Sequence, residues 1–125
     1  IRFASSSDFI EMKNQVLKLL KNLDSMDIAS IIDTIKEFST HKNDINDYLD
    51  LMLLWYRDVL MFKVTKDANL LLYSDEYSAI SEQATKRDYE NIENIIAAID
   101  KAKVRLKANV NFDVTIELMI LAMKD

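Results

Sequence analysis

The sequence predicts an all-α fold: a compact bundle of about five to six helices packed around one apolar helix. Three observations predict it. Among 125 residues there is no Gly and no Pro, and tight hairpins depend on Gly or Asn-Gly at positive φ, so a many-stranded sandwich or barrel is excluded. Half of the residues are apolar, enough for a chain of this length to bury about two-thirds of its unfolded surface as one domain. The apolar positions recur at three and four residues almost throughout.

The elements follow in order. Asp8 with Glu11 has the spacing of a capping box, and Phe9, Met12, Val16, Leu19, Leu20 and Leu23 form one stripe. A break at Asp24-Ser25-Met26-Asp27 offers Ser25 as the cap of a second helix carrying Ile28, Ile31, Ile32, Ile35 and Phe38. Ser39 to Asp44 is polar and predicts a turn, with His41 exposed in it. From Ile45 to Phe62 apolar residues cover most of the circumference, including Leu49, Leu51, Met52, Leu53, Leu54, Trp55, Tyr56, Val59 and Leu60. Such a helix must be surrounded by protein, so it is placed at the centre, with Leu53, Trp55, Tyr56 and Leu60 as core. Lys63 to Asp75 is the least helical stretch. Ser74 or Asp75 then caps a short helix with Tyr77, Ile80 and Ala84, and Asp88 caps a longer one with Tyr89, Ile92, Ile95, Ile96, Ile99, Ala102 and Leu106. Asn109-Val110-Asn111 makes a turn, since Asn tolerates left-handed geometry and also caps helices. The last helix, Phe112 to Lys124, is apolar on more than one face.

The composition also bounds the chemistry. Without glycine no phosphate-cradling loop can form, which excludes P-loop and dinucleotide-binding folds. Without Cys there are no disulfides, iron–sulfur clusters or cysteine zinc sites. One histidine, His41, cannot build a histidine metal centre, and no Ser-His-Asp or Glu-x-x-His arrangement involves it. Carboxylate sets such as Asp44, Asp47 and Asp50, or Glu90 with Glu93, read as solvated faces rather than cation sites. No catalytic residue, cofactor or metal is expected. The formal net charge of -5 opposes a general grip on nucleic acid. Lys101, Lys103, Arg105 and Lys107, with Lys86 and Arg87 nearby in sequence, form the one basic run; a phosphate-contacting stripe is one reading, but their even spacing spreads them around a helix near its negative end, which favours cations that complement that end. No apolar run is long enough to span a bilayer, and the missing cysteines fit a reducing cytoplasm. Residues 1–125 are expected to be a single domain cut from a longer protein, because the chain opens at Ile1 without an initiator Met.

Arg57 and Asp58 stand out as charges inside the most apolar helix, where an unpaired charge is costly. Neighbours in a helix point about 100° apart and do not pair simply with one another. Each is therefore expected to find a partner on another element, in a buried polar network with the turn residues Asn109 and Asn111. On that reading Arg57→Ala lowers the melting temperature by several degrees.

The string Leu54-Trp55-Tyr56-Arg57-Asp58-Val59-Leu60, the step Tyr73-Ser74-Asp75, and Asn109-Val110-Asn111 before an apolar helix with Glu117 together resemble one bacterial family. They are similar, at this separation, to the C-terminal domains of delta-prime-type subunits of the DNA polymerase III clamp loader. The resemblance implies an oligomerisation domain. Five clamp-loader subunits assemble as a ring whose C-terminal helical domains form a collar, which positions ATPase-fold domains to open the sliding clamp on primed DNA. It further implies partners such as gamma/tau and delta, contact with DNA only through the complex, and neither ATP hydrolysis nor zinc binding by this piece. The equivalent domain of gamma/tau, or a free-standing helical adaptor, would show much the same pattern. The outward face of Val114, Leu118 and Leu121 is the candidate seam with a neighbour, since an apolar face that the bundle cannot cover invites a partner.

Overall fold

In a computed structural model, which describes residues 6–124 (side chains from residue 9), the chain forms six α-helices. They are α1 (Ser6–Asn22), α2 (Ile28–Ser39), α3 (Ile45–Thr65), α4 (Tyr77–Lys86), α5 (Tyr89–Lys107) and α6 (Phe112–Lys124). One-turn 3₁₀ segments at Leu23–Ser25, Lys42–Asp44, Ala68–Leu70 and Ser74–Glu76 punctuate the connections, and no strand occurs among the described residues. α3 packs on α1, α4 and α5, while α6 closes the bundle against α5 and α2. The reading of Ile1 to Ser5 lies outside the described residues, as does the Asp8 side chain; α1 is already under way at Ser6, so Asp8 lies within it.

The core is continuous. Val16, Leu20, Leu49, Met52, Trp55, Tyr56, Val59, Ile80, Ile92, Ile95, Ile99, Ile116 and Ile120 are almost wholly withdrawn from solvent. Each is worth roughly 1.5–3 kcal/mol of transfer free energy. Aromatic contacts tie α3 to its surroundings, Tyr48 meeting Phe38 of α2 edge-on at 5.1 Å among them. Trp55 meets Tyr73 edge-on with ring centroids 5.5 Å apart, and Phe62 meets Tyr77 at 5.4 Å. The Tyr48 hydroxyl donates to Gln15 Oε1 at 2.6 Å, linking α3 to α1. Burial, reinforced by the negative charges of Glu11, Asp44 and Glu37, pushes that hydroxyl up to about 12.

Four expectations about the helices are corrected. α3 is central but not enclosed: Leu53 and Leu60 are only half-buried, and Arg57, Met61 and Val64 face outward. Of the α2 stripe, Ile31, Ile35 and Phe38 enter the core, whereas Ile28 and Ile32 stay exposed because α2 meets the bundle along a narrow edge. Asp27 rather than Ser25 caps α2, accepting the Ser30 N–H at 2.8 Å, because Leu23–Ser25 is used up in a 3₁₀ turn. Neither Ser74 nor Asp75 supplies a side-chain cap for α4, whose start follows directly on the 3₁₀ turn containing them. His41 is half-buried, stacked on Tyr48 at 5.7 Å.

A chain without glycine still has to stop its helices. α3 ends on Lys66 at φ 59°, and the α5–α6 turn runs through Asn109 at φ 62°. Asparagine tolerates this left-handed region, but a lysine Cβ crowds the following carbonyl. Lys66→Gly is therefore expected to raise stability by about 0.5–1 kcal/mol, the relief of that crowding less the added unfolded-state entropy of glycine. Urea denaturation at pH 7 checks it.

Candidate functional site

Two features of the bundle can carry function: the polar pins that hold its connections, and the apolar surface it leaves outside.

The first pin is Asp58. It points inward from α3, 3% exposed, and its two oxygens accept the backbone N–H groups of Leu72 at 3.0 Å and Tyr73 at 2.7 Å. These donors belong to the non-helical stretch between α3 and α4, and without the carboxylate they would have no acceptor in helix or sheet. The same stretch is held a second time, because the Tyr73 hydroxyl donates to the Leu51 carbonyl at 2.8 Å. Burial, and then the nearby charge of Asp58, raise the Tyr73 hydroxyl well above its ordinary value, so it stays protonated as a donor.

Arg57 does not join this pin. With Asp58 turned to the core, its neighbour about 100° round the helix must look outward, and Arg57 is exposed. Nor do Asn109 and Asn111: both are exposed at the α5–α6 turn. There Asn109 takes the left-handed turn position and Asn111 caps α6, its Oδ1 accepting the Val114 N–H at 3.0 Å. Of the four polar residues expected as one network, Asp58, Asn109 and Asn111 thus serve three separate tasks, and Arg57 joins none of them. Trp55 and Tyr56 are fully buried.

The arginine that is buried is Arg87. At 6% exposure it donates from Nη1 to Asn91 Oδ1 at 2.7 Å and from Nη2 to Asp24 Oδ1 at 3.1 Å, while Lys86 holds the other Asp24 oxygen. The cluster staples the α4–α5 joint to the 3₁₀ turn after α1. Burial by itself would raise the Asp24 carboxyl. The hydrogen bond from Lys86 and the charges of Arg87 and Lys86 outweigh it and hold Asp24 below its ordinary 3.8. Sequence reasoning missed this site, taking Asp24 as part of a helix break and grouping Lys86 and Arg87 with the basic run. The only hint was an arginine placed immediately before the cap Asp88, where the chain must turn tightly between two helices.

In the basic run, Lys103 is paired with Asp50 of α3, Arg105 is half-buried, and Lys101 and Lys107 are exposed. They do not form one face. Among the described residues no set of His, Asp and Glu is arranged to hold a metal ion, and no helix is long and apolar enough to cross a membrane.

The second feature is α6. Thr115, Ile116, Met119, Ile120 and Met123 are buried on one side, and Val114, Leu118 and Leu121 occupy the opposite side at 49%, 45% and 43% exposure. Spacings of four and three residues align these three into one stripe. A polar outer face is normal for a surface helix; here an apolar stripe runs along it beside the exposed Asp113 and Glu117.

Compared with known proteins, the chain matches the family described as "DNA polymerase III, delta subunit, C terminal" over residues 7–124. It is similar to DNA polymerase III subunit delta' of Bacillus subtilis (strain 168), 28% identical over 128 aligned residues that cover 100% of this chain and 39% of the relative. The chain thus spans about two-fifths of the length of that curated relative. No solved structure matches it significantly.

The pins differ in what their loss should do. Asp58→Ala leaves the buried Tyr73 N–H and the part-buried Leu72 N–H without their acceptor and is expected to cost about 2 kcal/mol, whereas Arg57→Ala changes stability by no more than about 0.5 kcal/mol; urea denaturation of both variants measures the contrast. Because Asp24 is depressed in the folded state, its stabilising effect is present above the unfolded-state pKa and disappears as pH falls through the folded one. The stability gap between the parent chain and Asp24→Asn is therefore expected to be present at pH 7 and to close below about pH 4. Thermal melts across that range test the sign.

Proposed function

We propose, from the premise that this chain belongs to the family formed by the C-terminal domains of DNA polymerase III delta subunits, that it is the assembly module of a delta-prime-type subunit. On this reading residues 1–125 are one oligomerisation domain of a longer protein. It joins the C-terminal domains of other clamp-loader subunits, of the gamma/tau and delta kinds, in a collar. The domain carries out no reaction, needs no cofactor, and meets DNA only through the complex it helps to build.

The observation that carries this reading is the outer stripe of α6. Three aliphatic side chains in register, each nearly half exposed, stand on a helix whose other face is fully used by the core. Contiguous apolar surface of this kind is what a protein–protein interface desolvates. In a ring each member meets two neighbours through different surfaces, and one helix face suffices for one of those seams.

The test is the solution mass of this chain by light scattering, alone and mixed with the C-terminal domains of gamma/tau and delta, repeated with the full-length proteins. A species of higher mass formed only on mixing is expected, and Leu118→Asp should abolish it while leaving the melting temperature within a few degrees. A chain that ignores these partners in both formats defeats the proposal. Assembly that survives Leu118→Asp moves the seam away from α6.

A further inference from the structure

Most buried polar groups of the bundle are matched, and those that are not gather largely in one place. Among the described residues, the buried side-chain polar atoms without a hydrogen-bond partner are Trp55 Nε1, the Tyr56 hydroxyl oxygen, Gln83 Oε1 and Arg87 Nε. Trp55 stands apart, its ring packed on Tyr73. The other three belong to one corner, where α3, α4 and the end of α1 meet. Gln83 lies in the last turn of α4, and Arg87 ends that helix by donating its backbone N–H to the Gln83 carbonyl at 2.9 Å. Both side chains reach the end of α1. Gln83 Nε2 donates to the Leu20 carbonyl at 3.2 Å, and Arg87 Nη2 to Asp24 Oδ1, one turn further on, at 3.1 Å. Tyr56 enters from α3, which packs along α4, and it is wholly buried. Burial raises its hydroxyl well above the ordinary value, and the opposed charges of Arg87 and Asp24 both reach it, which sets it in the same corner.

The bonding capacities here are fixed. Because Gln83 gives its amide N–H to Leu20, its Oε1 can only accept; Arg87 Nε–H can only donate; a phenol does either. None of the three bonds to another, and polar groups buried without partners are costly. We infer that this corner is a binding site for a single internal water molecule, which accepts from Arg87 Nε–H, donates to Gln83 Oε1 and completes its bonds at the Tyr56 hydroxyl. Three protein partners are the usual complement of a buried water. Charge selects water over an ion, since the Arg87 guanidinium opposes a cation, while Gln83 Oε1 and the Asp24 carboxylate oppose an anion. The water links α3 to α4, and Gln83 carries the link on to α1. This site stands independently of the assembly reading.

The test has a crystallographic arm and a solution arm, both on this chain. A crystal structure sharp enough to place waters is expected to show one at roughly 2.7–3.2 Å from the Tyr56 hydroxyl, Gln83 Oε1 and Arg87 Nε. In solution, the ¹⁵N-labelled chain should show a rotating-frame NOE from water to the Arg87 Nε–H proton, with the sign that separates proximity from proton exchange. Tyr56→Phe leaves the water two partners, so the signal should persist, free of any relay through the phenol proton. Adding Gln83→Met leaves one partner, too few to hold a buried water, and the signal should vanish. A direct hydrogen bond between two of these side chains in place of the water overturns the proposal. So does the lack of an NOE in the parent chain, its loss in Tyr56→Phe, or its survival in the double variant.

Discussion

The buried carboxylate of Asp58 is the constraint on which the connection across the bundle depends. Between α3 and α4 the chain must cross from one core helix to the next without regular structure, and it has neither glycine nor proline to shape the crossing. Its backbone donors would be left without acceptors there if α3 did not bring one to them. One side chain, accepting from Leu72 and Tyr73 together, supplies the acceptor and sets where the crossing lies on α3. Tyr73 then reaches back to the Leu51 carbonyl and packs its ring on Trp55. The Trp-Tyr-Arg-Asp string is thus coherent in physical terms: the first, second and fourth residues point into the bundle, and the third points out.

Arg87 and Asp24 act in the same way at the other side of the bundle, joining the α4–α5 corner to the end of α1. Asp58 and Arg87 are both charged groups taken out of water; Asp58 is held by two backbone N–H donors, and Arg87 by Asn91 and the carboxylate of Asp24, which makes burial of a charge tolerable. Helix ends elsewhere rely on Asp27, Asp88 and Asn111 as caps and on Lys66 and Asn109 in left-handed geometry. A glycine-free chain has replaced glycine's conformational freedom with side-chain hydrogen bonds.

The outer surface divides into regions with different chemistry. α6 presents the aliphatic stripe of Val114, Leu118 and Leu121, flanked by the exposed carboxylates of Asp113 and Glu117. A groove between α3 and α5 sets half-buried aliphatics beside Arg57, Asp50 and Asp100.

Periodicity alone specified a bundle of five to six helices, their order, the central position of α3 and most of the core, because burying one apolar stripe per helix leaves few other arrangements. The caps Asp88 and Asn111 were legible for the same local reason, since a cap bonds to an N–H only three residues away. What local pattern could not specify is where a charged side chain ends its reach. Arg57 and Asp58 are adjacent and look equally buried in the sequence; α3's rotation within the bundle, set by its contacts with α1, α4 and α5, turns one inward and the other out. Arg87 looks like surface charge until α4 and α5 bring it beside Asp24, 63 residues away in sequence. Hydrophobic spacing is a property of one helix, whereas the fate of a charge belongs to the space between helices, and only the tertiary structure decides it.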